Sequence, residues 1–461
     1  MVNLDRVQPA MKHLPPNLQP WVVSTAKLIL PVWLRQRCGI TEIEERNIER
    51  FIQINQQFQA GKVRYLLAFR HPTIDDQFAL FHLFAKATSH ATKQMGIKLE
   101  RPIHSYYVYD RGIPLWAGNL ATWFYPRTGG ISINRGKLDR QALRTLRQTM
   151  VDGDFPLAIS PEGDANNHNE RVNRLEPGAA QIGFWTVEEL AKADRQEQVM
   201  ILPVGLQYEY LGNPWPNIDR FLMDLECECG VDKAPLRSPT MTERYQRLRD
   251  FGNYLIDYTG DFYQRFYRDH MPEPKPDSEH SETIGDRLEQ LLDTILRIAE
   301  SHFKIKPNGS FIERCRRLEA AGWEQIFRND IPDPKSRAPL EQGLADRLAK
   351  EANSSLSHMR IAEGLAAITG DYVVNHLSAS RFVDILQLIW RGIRSAKGKS
   401  FGRAPYLGKR KCTISIGEPL VVNDYYREYS SSRAGAKTAI ADLTNNLQTA
   451  MEHLIFPSCL A

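Results

Sequence analysis

Residues 63–81 read VRYLLAFRHPTIDDQFALF, and the change of character within this stretch decides the fold. The run 63–69 is short, apolar and rich in β-branched and aromatic side chains, which predicts a buried strand. Residues 77–87, QFALFHLFAKA, predict a helix. The strand delivers His71, and four residues separate it from Asp76. That spacing lets a turn bring the carboxylate back to the imidazole. There it would fix the ring's tautomer and stabilise the imidazolium formed when the ring accepts a proton. The nucleophile of such a dyad is the substrate's own hydroxyl, so no protein serine or cysteine is required. On these residues alone a plainer reading stands beside it: a loop histidine before Pro72, with Asp75 or Asp76 capping the next helix.

Three further segments carry signals of the same kind. AISPEGDANNH, 158–168, puts Pro161-Glu162-Gly163 directly behind an apolar strand, where open α/β folds place ligands. Glu162 could bind acceptor hydroxyls and N–H groups near Gly163 an oxyanion, or the segment is an ordinary turn. GGISINRG, 129–136, sets Arg135 behind a short strand, as a ligand for phosphate or carboxylate or as a surface arginine. ILPVGLQYEY, 201–210, is an apolar strand with Pro203 early in it and by itself is core.

Strands are also predicted at 104–110, 129–134, 156–160 and 200–210, with helices at 139–150 and 177–193. Short buried strands alternating with helices argue for an α/β domain. Upstream, Ile43, Ile48, Phe51, Ile54 and Phe58 recur at gaps of three to five, which predicts an amphipathic helix over 41–59. From about 213 to 405 the chain is charged and helix-like, most clearly at 282–303 and 378–396, with a proline-rich linker at 271–282. KCTISIGEPLVV, 411–422, restores a strand, and a helix follows around 433–454. The expected organisation is therefore an N-terminal helical segment (1–60), an α/β core (61–212), a helical insertion (213–405) and a strand and helix that complete the core (406–461). The fold class is a mixed sheet flanked by helices.

A formal charge of +4 is too small for the basic stripe that nucleic acid demands. It is compatible with anionic lipid or an acidic carrier protein. Cys227 and Cys229 lack the paired spacing of a zinc site, so no metal is expected, and sparse cysteines suggest a reduced, intracellular protein. The N-terminus has no signal-peptide pattern. WVVSTAKLILPVWL, 21–34, falls short of the roughly 20 apolar residues of a membrane span. With Trp21, Val22, Leu28, Leu30, Val32, Trp33 and Leu34 near Lys27, Arg35 and Arg37, it is either an interfacial anchor or a helix packed on the core.

Taken in order, the four segments resemble the PlsC-like glycerolipid acyltransferases, which make phosphatidic acid from lysophosphatidic acid. That family shows H-x4-D, G-x-I-x-I-x-R and P-E-G blocks and then an apolar strand with an early proline. The matching residues are His71 and Asp76, Gly129–Arg135, Pro161-Glu162-Gly163, and Leu202-Pro203-Val204. LEPGAAQIG (175–183) and ISIGEPL (414–420) extend the likeness, which covers roughly 61–212 and 411–461.

The resemblance implies attack of a glycerol-backbone hydroxyl on an acyl thioester, acyl-CoA or acyl-ACP, without metal or redox cofactor. His71 would take the proton, Asp76 would orient His71, Arg135 would hold the acceptor's phosphate, and Glu162 and Gly163 would shape its site. Both substrates being lipidic, it also implies a peripheral enzyme on the cytoplasmic face of a membrane. Two departures stand out: Arg70 replaces the usual Asn before the His, and Asp164-Ala165-Asn166 replaces Thr-Arg-Ser after P-E-G. The lost arginine suits a non-phosphorylated acceptor. A non-catalytic lipid-binding or scaffold member is the rival of another class. No G-x-S-x-G turn suggests a hydrolase.

Overall fold

The computed structural model describes residues 3–113, 117–134, 139–163, 165–270, 283–331, 338–366, 368, 371–374, 376–399 and 404–456. Among these, eight strands form one mixed sheet. They are β1 (Ile40–Arg46), β2 (Val63–Phe69), β3 (Tyr106–Asp110), β4 (Gly130–Ile133), β5 (Leu157–Ile159), β6 (Gln198–Tyr210), β7 (Arg410–Ile416) and β8 (Leu420–Val421). The order across the sheet is β1-β7-β6-β2-β5-β3-β4, with β8 pairing β6 beside this path. Strands β2 to β6 run parallel, whereas β1 and β7 are parallel to each other and β7 is antiparallel to β6.

All seven residues of β2 are buried because both faces of the sheet are covered. Val63, Tyr65, Leu67 and Phe69 pack with helices α1 (Pro20–Gln36), α2 (Ile48–Gln59) and α3 (Asp76–His82). Leu66 and Ala68, on the other face, pack against α5 (Arg140–Asp152), α6 (Gly178–Lys192) and α13 (Arg433–Glu452). The two-residue period of the strand thus sorts its side chains into two cores. A shorter helix, α4 (Asn119–Arg127), leads into β4.

The segment 41–59 is not one helix. Ile40–Arg46 is extended and pairs with β7, and the helix starts at Ile48, after Asn47 turns the chain with φ of 58°. Residues 410–416 needed an outer neighbour, and a charged strand such as Glu42–Arg46 suits a sheet edge. Nor does the N-terminus begin as helix. Gln8–Pro9 pairs with Phe327–Arg328, His13 bonds the Ser132 carbonyl at 3.0 Å, and only at Pro20 does α1 begin.

Between β6 and β7 lie α7 (Trp215–Glu228), α8 (Met241–Phe266), α9 (Ile284–Phe303), α10 (Phe311–Ile326), α11 (Pro339–Leu365) and α12 (Ala379–Ala396). Their apolar faces form a core of their own, including Phe251, Ile295, Leu318, Leu356 and Leu386. Ile385, Leu388 and Ile389 of α12 are buried in it. The body is inserted at a hairpin: Tyr210 faces Arg410 across the ladder, and the Leu211 N–H donates to the Lys409 carbonyl at 2.8 Å.

His104, just ahead of β3, is ringed edge-on by Phe81, Phe84 and Phe155 and donates from Nε2 to the Thr128 carbonyl at 3.0 Å. Burial lowers its pKa to about 4. Its ordinary value is about 6.5, so the fold disfavours the charged ring and loses stability as pH falls from 6.5 towards 4. Unfolding by urea should show this residue costing about 2 kcal/mol between pH 7.5 and pH 5. His104→Phe should flatten the slope by that amount, whatever its absolute stability. An unchanged slope would mean that His104 is charged in the fold.

Candidate active site

β2 and β5 are neighbours, with Ala68 opposite Ile159, so the loops leaving their C-terminal ends start side by side. One carries His71 and the other Pro161-Glu162-Gly163. β6 flanks β2 on the other side, Phe69 opposite Val204, and brings Tyr208 up to the same place.

His71 Nδ1 lies 2.9 Å from Asp76 Oδ2. A fully buried carboxylate at this distance accepts the Nδ1 proton and leaves the lone pair on Nε2, the arrangement a general base needs. The His71 side chain is 26% exposed and the Asp76 side chain not at all. Asp76 Oδ2 also accepts the Thr73 N–H at 2.9 Å, and Oδ1 accepts the Tyr208 hydroxyl at 2.5 Å. Burial raises the Asp76 pKa, and the bonds from His71, Tyr208 and Thr73 work against that rise. The phenol of Tyr208 is pushed well above its ordinary value by burial and by Asp76, so it stays a donor.

The neighbouring carboxylate has a different task. Asp75 stands at the start of α3 but makes no side-chain cap bond there. Its Oδ2 takes a guanidinium N–H of Arg410 at 2.6 Å, and Arg410 in turn lies over the Tyr208 ring, 5.1 Å from its centroid. Asp75 therefore ties the helix to β7.

Glu162 is buried, and protein donors engage both its oxygens. Oε1 accepts the His71 N–H at 3.0 Å; Oε2 accepts the Asn173 N–H at 2.9 Å and the Asn166 side chain. The Asn166 N–H donates to the His71 carbonyl at 2.9 Å. Glu162 thus ties the His71 loop to the chain after Gly163. Gly163 adopts φ of 78°, and its N–H donates to the Ser160 carbonyl at 3.2 Å. A Cβ there would run into the Glu176–Arg316 ion pair. Arg135 lies outside the described residues; β4, which precedes it, stands at the sheet edge two strands beyond β5.

Arg70 has a structural task of its own. It has no exposed surface, and its guanidinium donates to the carbonyls of His168 (3.1 Å), Asn169 (2.9 Å), Arg171 (2.7 Å) and Leu206 (3.3 Å). It holds the chain after P-E-G against β6, directly behind His71. Tyr208, Asn166 and Asn169 are the residues that sequence reasoning passed over. The one available signal was a tyrosine in a strand read as core, since a buried hydroxyl needs a partner.

An exposed apolar face adjoins the site. On α1, Val22, Leu30 and Leu34 are buried, while Trp21, Leu28, Ile29, Val32 and Trp33 are exposed, Leu28 by 80%. The face continues onto α4 through Trp21 and Trp123, ring centroids 5.9 Å apart, with Leu120 exposed beside them. At its other end Trp33 meets Phe78 of α3 at 5.6 Å, two residues from Asp76. Helix α1 is thus both packed on the core and apolar outside. Among the described residues no helix is long and apolar enough to cross a membrane, and no group of three or more His, Cys, Asp or Glu side chains is placed to hold a metal.

Arg70→Met should destabilise the fold by at least about 3 kcal/mol, because the buried carbonyls of Asn169 and Leu206 and the part-buried ones of His168 and Arg171 all lose a guanidinium donor. Asp76→Asn, which keeps an acceptor oxygen, should cost less. Urea unfolding of the two variants decides this, and an Arg70→Met protein of wild-type stability would contradict it. Compared with known proteins, the chain matches no family model and no curated protein, so the reading of the site rests on its own residues.

Proposed function

We propose that this chain is an O-acyltransferase with a glycerolipid-acyltransferase-like fold. It would move a fatty-acyl group from acyl-CoA or acyl-ACP to a hydroxyl of a lysophosphatidic acid-like glycerolipid, at the cytoplasmic face of a membrane. The observation that carries the reading is the His71–Asp76 pair, with a buried carboxylate on Nδ1 and a partly exposed ring, at the C-terminal ends of the parallel strands of the sheet. In the proposed step His71 Nε2 takes the acceptor's hydroxyl proton while the oxygen attacks the thioester carbonyl. The C–S bond then breaks, and the thiolate leaves with the proton from the imidazolium. Asp76 stabilises the positive ring in between, and Tyr208 and Thr73 keep Asp76 in place. Glu162 and Gly163 shape the loop beside His71. Arg135 receives the acceptor's phosphate on the strength of the resemblance.

A second reading, transfer to a non-phosphorylated acceptor, draws on the chain after Gly163. There Asn166 turns inward onto Glu162 where the family places Thr-Arg-Ser. The exposed face of α1 and α4 would seat the enzyme on the bilayer that holds its acceptor, with Arg35 and Arg37 exposed at the end of α1.

The test is transfer of a labelled acyl thioester to lysophosphatidic acid, glycerol-3-phosphate and neutral lysolipids. Wild-type protein should acylate a phosphorylated acceptor, and His71→Ala should lose about 10³-fold in kcat with its circular dichroism unchanged. Transfer to neutral acceptors alone would select the second reading. No transfer to any acceptor would leave a lipid-binding or scaffold protein. For the apolar face, Leu28→Asp with Val32→Asp should weaken co-sedimentation with phospholipid vesicles at least about tenfold. The same variant should retain transfer to a detergent-dispersed acceptor; loss of both would point to a damaged core.

A further inference from the structure

Helix α12 of the inserted body reaches the site through a chain of hydrogen bonds. Asp384 Oδ2 accepts the Asn169 N–H at 2.7 Å and the Tyr372 hydroxyl at 2.8 Å. The Asn169 side chain then grips the backbone of Tyr208 twice, Nδ2 donating to its carbonyl at 2.6 Å and Oδ1 accepting its N–H at 2.6 Å. Ser380, also on α12, donates to the same carbonyl at 3.2 Å. The Tyr208 hydroxyl holds Asp76, and Asp76 holds His71. From Asp384 to the imidazole every link is a named bond. A parallel set secures the next residue of the loop. The Glu170 N–H donates to Tyr372 Oη at 2.9 Å, its carboxylate accepts from Arg381 at 2.8 Å and Ser378 at 3.3 Å, and Arg381 donates to the Tyr372 carbonyl at 2.8 Å.

We infer that the inserted helical body is a positioning element of the active site, in which Asp384, acting through Asn169 and Tyr208, sets the placement of Asp76 and therefore of His71. The inference rests on the acyl-transfer reading above. Apolar packing alone could have joined the body to the sheet, since it has an extensive core of its own. A polar interface placed where solvent is scarce adds little stability over an apolar one, but it specifies a single geometry. Asp384 fits that purpose. Burial, with Glu170 nearby, pushes its carboxyl up to about 7, against the pull of the bonds from Asn169 and Tyr372. Asp384, Asn169 and Tyr208 reach the reacting atoms only through Asp76 and His71.

The experiment compares Asp384→Ala, Asp384→Asn, Tyr208→Phe and the double variant Asp384→Ala/Tyr208→Phe. Both bonds at Asp384 go to one oxygen, so asparagine can keep both and should retain most of kcat. Alanine should lower kcat at least about tenfold with KM within about twofold, and the double variant should be no worse than Tyr208→Phe alone. The ¹⁵N and Nδ1–H resonances of His71 give a second readout that needs no turnover. They should move in Asp384→Ala and Tyr208→Phe and stay in Asp384→Asn. Multiplying effects in the double variant would overturn the inference, as would an Asp384→Ala protein that melts lower but keeps its kcat and its His71 resonances. A wild type that transfers to no acceptor would remove the acyl-transfer reading, while the resonances would still decide whether Asp384 governs His71.

Discussion

A carboxylate with no exposed surface survives in a protein only where donors converge on it, and Asp76 is that carboxylate here. His71, Thr73 and Tyr208 supply the donors, and each comes from a different constraint. Thr73 lies in the turn between β2 and α3, so the local chain provides it. Tyr208 comes from the neighbouring strand, so sheet order provides it. His71 completes the set as the group the others serve. The order β6-β2-β5 brings these groups together with Glu162, and a different neighbour on either side of β2 would dismantle the site.

The same demand explains the residues behind the dyad. Leaving β2, the chain would expose or strand the carbonyls of the 168–171 loop, and Arg70 satisfies three of them, along with that of Leu206, by one planar group. Asp75 and Arg410 do the corresponding work on the other side, joining α3 to β7. Two adjacent aspartates thus differ in role because their side chains leave α3 in different directions.

Much of this was legible in the sequence where the cause is local. The apolar run 63–69, the helix after His71 and the strand-turn at 157–163 follow from short-range pattern, and the spacing from His71 to Asp76 allows the pair that the turn forms. What stayed hidden is non-local. Residues 41–46 look helical until β7 offers a ladder more than 360 residues later. Arg70 looks like a lost asparagine until the carbonyls of another loop surround it. Tyr208 looks like core, and Asp384 looks like a charge on an amphipathic helix, until the hydrogen bonds that end on them are traced. Glu162 was visible as a residue of interest, yet its inward orientation depends on partners four and eleven positions onward.

The insertion at the β6–β7 hairpin also bears on the entropy of closing the sheet. Closing a flexible loop of roughly 200 residues costs about 3–4 kcal/mol more than closing a four-residue turn. If the helices were unstructured, β7 would have to find β6 against that entropy. A folded helical body holds its two ends one ladder rung apart and so converts the search into an ordinary hairpin closure. Loop entropy thus favours an order in which the inserted body forms first and β7, with β1 beyond it, joins β6 afterwards.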